Sequence, residues 1–171
     1  HRDVRAISQP IPAVYRHLKK AFYQKLGIAE EYYVLSDLFQ PGYISEDLTT
    51  FLKEYCIDGK ELKEVLRSME GWSGQSTRLV SLDDFLEGYG DSTLCQLYRY
   101  LLQYFTSKGN WAASGTKEIL IEEFIPYMLD CGLRVILVVR DPRDMYTSIN
   151  VVRGTNHTGR HRPTLFHLRN W

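Results

Sequence analysis

No stretch of these 171 residues is long, apolar and uncharged enough to span a bilayer, so no membrane segment is expected. Cysteine is scarce: Cys56, Cys95 and Cys131 are odd in number, far apart, and in neither a CxxC pair nor a zinc-ligand spacing. That pattern argues against a disulfide scaffold and against a structural metal site. It favours reduced, partly buried thiols in a reducing compartment, with the cytoplasm ahead of the alternatives. Net charge is absent too, with 21 basic and 21 acidic residues. Since the basic residues are not interleaved with an aromatic ladder, nucleic acid is not expected as a partner. No secretory signal pattern, internal repeat or low-complexity tract is visible, and no Gly-x-x-x-x-Gly-Lys-Ser/Thr loop is present.

The size suits one domain with a real core, and the 44% hydrophobic fraction is ordinary for a globular chain. Charge is unevenly spread. From Arg134 onward seven arginines face only Asp141 and Asp144, while the first 133 residues hold 14 basic against 19 acidic groups. A basic C-terminal segment of this kind attracts anionic ligands.

Hydrophobic periodicity and capping residues predict mostly helices. Ile11 to Leu26 is amphipathic and ends at Gly27. Glu31 to Asp37 has a strand-like core that a helix would also fit, and Gln40-Pro-Gly is a turn. A helix begins at Ser45 with Leu48, Phe51, Leu52 and Tyr55 on one face, breaks at Asp58-Gly59, and resumes over Lys60 to Met69. Gly71 to Ser76 is a loop, and Ser81 caps a short helix. Ser92 to Thr106 forms a long helix whose Leu94, Leu97, Tyr98, Leu101, Leu102 and Phe105 read as core. Lys108 to Thr116 is a polar loop around Trp111, Ile119 to Cys131 a helix stopped by Gly132, and Gly154 to Pro163 a loop. Residues 45–110 thus form a helical block ahead of the segment that carries the most information.

That segment is Leu133 to Ser148. Val135 to Val139 is a short, continuous apolar run, as in a strand buried on both faces of a parallel sheet. Arg140 ends it. Asp141, Pro142 and Asp144 then supply a cap, a first-turn proline and a capping-box spacing for a helix to about Val152. Ligands in open α/β sheets bind beyond the carboxyl ends of strands. There the Arg140 guanidinium can grip a phosphate bidentately, with the Ser148 hydroxyl donating to the same group. One strand cannot stand alone, because its backbone groups need neighbours. Either Glu31 to Asp37 pairs with it, or further strands lie outside the sequence.

The run Arg140-Asp141-Pro142-Arg143-Asp144 with Ser148 eight positions after Arg140 resembles the 3′-phosphate-binding motif of sulfotransferases that use 3′-phosphoadenosine 5′-phosphosulfate (PAPS). A looser likeness extends from Gly115 to Trp171. The resemblance implies an α/β, P-loop-like core with a parallel sheet, rich in helix, with a large helical insertion at 45–110 and the strand-turn-helix at 133–152. It implies PAPS as co-substrate, no metal, and sulfonyl transfer to a hydroxyl or amine on a small-molecule, glycan or lipid acceptor. Arg140, Ser148 and Arg143 would bind the cofactor. Gly115-Thr116-Lys117-Glu118 falls where many members place a Gly-x-Lys segment near the moving sulfonyl group. Lys117 is thus the candidate for charge stabilisation and Glu118 for general base. Glu118 would equally serve as the first-turn acid of the next helix.

The sequence departs from the pattern in two ways. The histidine that the phenol- and steroid-sulfating branch carries in this region is absent. The loop for the 5′-phosphosulfate is not apparent either, with Ser73 to Arg78 only a weak match. On the resemblance that loop lies ahead of His1, and the 171 residues are an incomplete domain. Two other readings stay open: a different phosphate-handling enzyme, or a non-catalytic helical interaction domain with a relic motif.

Overall fold

A computed structural model describes residues 3–29, 35, 42–70, 82–118 and 121–139. Its first element is one the periodicity does not announce. Val4–Ser8 forms a strand, β1, that pairs in parallel with β2, Ala113–Lys117, in the register Val4↔Ala113 to Ser8↔Lys117. Residues 108–116 were expected to be a loop, and β2 corrects this. Ala-Ser-Gly-Thr-Lys has little β propensity and no apolar alternation, so its extended form depends on the partner strand more than on its side chains. Only Ile7 of β1 is buried.

Past Ser8 the backbone turns through Gln9, at a positive φ of 49°, and Pro12 opens α1, Pro12–Leu26. Proline fits there because the first helical N–H has no partner to lose. Gly27 closes α1 in the left-handed conformation, as its position in the sequence suggests. Four helices follow: α2 Ser45–Glu54, α3 Gly59–Glu70, α4 Leu82–Glu87 and α5 Leu94–Gly109. Asp47 accepts from the Ile44 N–H (2.9 Å), and Asp58 from the Glu61 N–H (2.6 Å). Thr93 caps α5 by accepting from the Gln96 N–H. An antiparallel bridge, Ile57 to Ser92, ties the entry of α3 to that of α5. The architecture is therefore helix-rich α/β with a two-stranded parallel sheet among the described residues. None of the described helices is long and apolar enough to cross a membrane.

The core is built from the inner faces of these helices. Leu18 and Phe22 of α1, Leu48 and Leu52 of α2, Leu62 of α3, Phe85 of α4, and Leu97 and Leu101 of α5 are essentially free of solvent contact. Among the described residues one charged side chain is buried with them. The Lys19 ammonium reaches the Tyr43 hydroxyl (2.6 Å) and the Glu123 carboxylate, and Tyr43 donates to the same carboxylate (2.7 Å). This joins α1 to the segment ahead of α2 and to the turn after β2.

Two further expectations are corrected. Residues 121–131 are a 3-10 turn, Glu122–Phe124, followed by a short helix, α6, Ile125–Asp130, rather than one helix from Ile119. Pro126 has no N–H to donate back, so it suits a helix start and not an interior. Gly132, at φ 72°, ends α6 as expected. Residues 133–139, expected as a buried strand, have no regular structure. Leu133 and Val135 touch the core, but Ile136, Leu137, Val138 and Val139 are 90%, 61%, 79% and 65% exposed. Among the described residues no strand lies beside them to bury an apolar run or pair its backbone.

Candidate functional site

The carboxyl ends of the parallel pair bring Lys117 and Glu118 to the edge where such sheets place ligands. β1 fixes this end, since the Gln9 N–H donates to the Lys117 carbonyl (2.9 Å) just beyond the last paired residues. Lys117 points its charge to solvent. Glu118, one residue on and on the opposite face of the extended backbone, turns inward. It is not the first-turn acid of a helix, because the next helical turn starts at Glu122.

Three elements close around Glu118. Tyr98 comes from the buried stripe of α5, and its hydroxyl meets that of Thr116 on β2. Tyr15 comes from the buried face of α1 with its ring edge-on to Phe124, the centroids 5.2 Å apart. Burial raises the Glu118 carboxyl to about 8, and the Thr116 hydrogen bond offsets only part of that. Burial also raises Tyr15 well above the usual phenol range, and the Glu118 charge and Tyr98 add to it. Tyr98 is raised too, first by burial, against the lowering effect of Thr116.

The hydrogen bonding here is incomplete. Among the described residues, the buried side-chain oxygens without a partner are the Tyr15 hydroxyl, Glu118 Oε1 and Glu122 Oε2. Buried polar atoms are normally satisfied, and an exception marks strain, an ordered water or ion, or a place for chemistry. A hydroxyl or amine brought to Glu118 Oε1 would meet a carboxyl that changes protonation near neutral pH.

Arg140, Arg143 and Ser148, with the helix expected from Pro142 to Val152, lie outside the described residues, as do the Ser73 to Arg78 segment and the Gly154 to Pro163 loop. The strand expected at Glu31 to Asp37 also lies outside them, apart from Leu35, which is buried. Among the described residues no group of three His, Cys, Asp or Glu side chains is placed to hold a metal. Tyr15, Tyr98 and Thr116 were not singled out as site residues from the sequence. The available signal was a phenol hydroxyl inside an otherwise apolar helix stripe, which needs a polar neighbour across the core. Neither a family model, nor a curated protein, nor a solved structure matches this chain.

Proposed function

We propose that this chain is part of a PAPS-dependent sulfotransferase, with a P-loop-like parallel core, that acts on a hydroxyl or amine acceptor. The observation that carries the reading is the placement of Lys117 and Glu118 at the carboxyl end of a parallel strand, with one Glu118 oxygen buried and unpartnered. The Arg140 to Ser148 motif supplies the cofactor class. These residue types suit the group: PAPS would bring the sulfonyl group, held through its 3′-phosphate by Arg140 and Ser148 with Arg143 nearby. Glu118 Oε1 would take the acceptor's proton, and the Lys117 ammonium, which faces solvent on the opposite side of the strand, would have to fold back over the strand end to balance negative charge at the transfer point. A carboxyl raised to about 8 is a stronger base than an ordinary glutamate, which suits it to hydroxyl or amine acceptors.

Leu133 to Val139 must gain strand neighbours, which the described residues do not provide.

Calorimetric titration with 3′-phosphoadenosine 5′-phosphate tests the proposal. Wild type binds, and Arg140→Ala loses on the order of 2–4 kcal/mol, roughly 30- to 1,000-fold in Kd, because a charge-assisted phosphate pair is removed. Equal affinity for both proteins rejects the role of Arg140.

A further inference from the structure

The stretch that leaves β2 is held at both ends by one continuous piece of chain. At its start the Gln9 N–H donates to the Lys117 carbonyl (2.9 Å). At its end α1 meets two neighbouring residues of the 3-10 turn. The Lys19 ammonium pairs with the Glu123 carboxylate, and the Tyr15 ring stands edge-on to Phe124, the centroids 5.2 Å apart. Tyr15 and Lys19 are four positions apart, so they share a face of α1, one turn from each other. The chain from Gln9 to Lys19 thus fixes Lys117 on one side and Glu123 and Phe124 on the other, and Glu118 lies between the two holds.

A lysine is a costly residue to bury. Lys19 is fully enclosed, with its ammonium 5.3 Å from the Tyr23 ring centroid and 4.8 Å from that of Tyr43. An ion pair desolvated this far adds little net stability over apolar residues of the same volume. What it adds is direction. Glu123 takes the ammonium and the Tyr43 hydroxyl (2.7 Å) together, which holds the carboxylate, and the backbone behind it, at one point. An apolar contact in the same place would let the turn slide.

We infer that Lys19 is a positioning residue: through Glu123 it fixes the stretch that leaves β2, and so sets where the Glu118 carboxyl stands. The inference deepens the catalytic reading and rests on it only for the use made of Glu118. Lys19 itself touches no reacting atom. With the turn seated on α1, Glu118 is enclosed by Thr116 of its own strand and by the phenols of Tyr98 and Tyr15, the titratable groups that face it. With the turn released, water reaches the carboxyl, and the burial that holds its proton is lost.

The test follows Glu118 in the full chain, labelled with carbon-13 at the glutamate carboxyls. Its resonance is the one that disappears in Glu118→Gln, and NMR reads its titration midpoint. Lys19→Met keeps the length of the side chain and removes the ammonium. It should bring the midpoint down from about 8 by about one pH unit or more, a tenfold change in acidity. Hydrogen exchange should quicken at the amides of Glu122 to Phe124 and stay as in wild type along α5. A variant that is merely less stable would exchange faster throughout and keep the wild-type midpoint. That result overturns the inference, as does any unmoved midpoint in folded Lys19→Met, or a wild-type midpoint already in the ordinary carboxylate range. If Lys19→Met does not fold, because Glu123 is left buried without its cation, Tyr43→Phe carries the test. It removes one hydroxyl from the same carboxylate, and the midpoint should fall in the same direction by less; an unmoved midpoint there is equally decisive against Lys19. No cofactor enters the measurement, so its outcome is separate from the titration that tests Arg140.

Discussion

Two apolar stretches of similar promise have different fates. On α5, Leu94, Leu97, Leu101 and Phe105 recur at helical spacing and all are buried. The run Val135 to Val139 is more apolar and wholly unbroken, yet four of its five side chains face solvent. The helix closes its own backbone hydrogen bonds and needs only a core to pack into, and its stripe joins the one shared by α1 to α4. The run can bury neither face, nor satisfy its N–H and C=O groups, without strands alongside. Hydrophobic composition therefore states a demand for burial, and the rest of the structure decides whether the demand is met.

The largest effect that can break this comparison is at Leu97. Leu97→Ala should cost about 2–5 kcal/mol in urea unfolding, through lost transfer energy and a cavity. A cost near zero would mean that the α5 stripe is not core.

Glu118 offers an intermediate test, through pH. Its folded carboxyl sits at about 8, above its unfolded value, so the folded state holds the proton more tightly. The stability this contributes is fully present below the unfolded value near 4.5. It is lost as pH rises through about 8, because the buried carboxyl must then carry charge. Glu118→Gln should flatten the fall in Tm between pH 5 and pH 9, and an unchanged slope would remove Glu118 from the buried cluster.

The smallest effect is expected at the exposed run. Ile136→Ser should alter stability by less than about 0.5 kcal/mol, as surface changes usually do. A loss of several kcal/mol would show that the run is covered in solution, as its composition demands.

Much of the helical scaffold could be read from sequence because each helix carries its own instructions. Ser45 marks a start, Gly27 and Gly132 mark ends, and Leu48, Phe51 and Leu52 mark a face. The sheet was harder. β1 presents one buried residue, Ile7, and β2 is Ala-Ser-Gly-Thr-Lys, so neither shows the alternation or apolar run that signals a strand. Their pairing is a long-range backbone event, invisible to local pattern. Of the candidate site, Lys117 and Glu118 could be proposed from their place in a short motif. Tyr15 and Tyr98 could not, since their role depends on two helices meeting over one carboxyl.

The parallel pair has a consequence for how the chain is made. β1 leaves the ribosome before its partner strand, which is more than a hundred residues behind. At roughly 5–20 residues per second that gap lasts on the order of 5–20 seconds. Throughout that interval β1 is without β2, while helices α1 to α5 emerge between the two strands. The pairing of β1 with β2 therefore waits until α1 to α5 have been made. A translational pause before residue 113 would lengthen the interval in which the nascent chain offers the β1 edge to a chaperone or to another copy of itself.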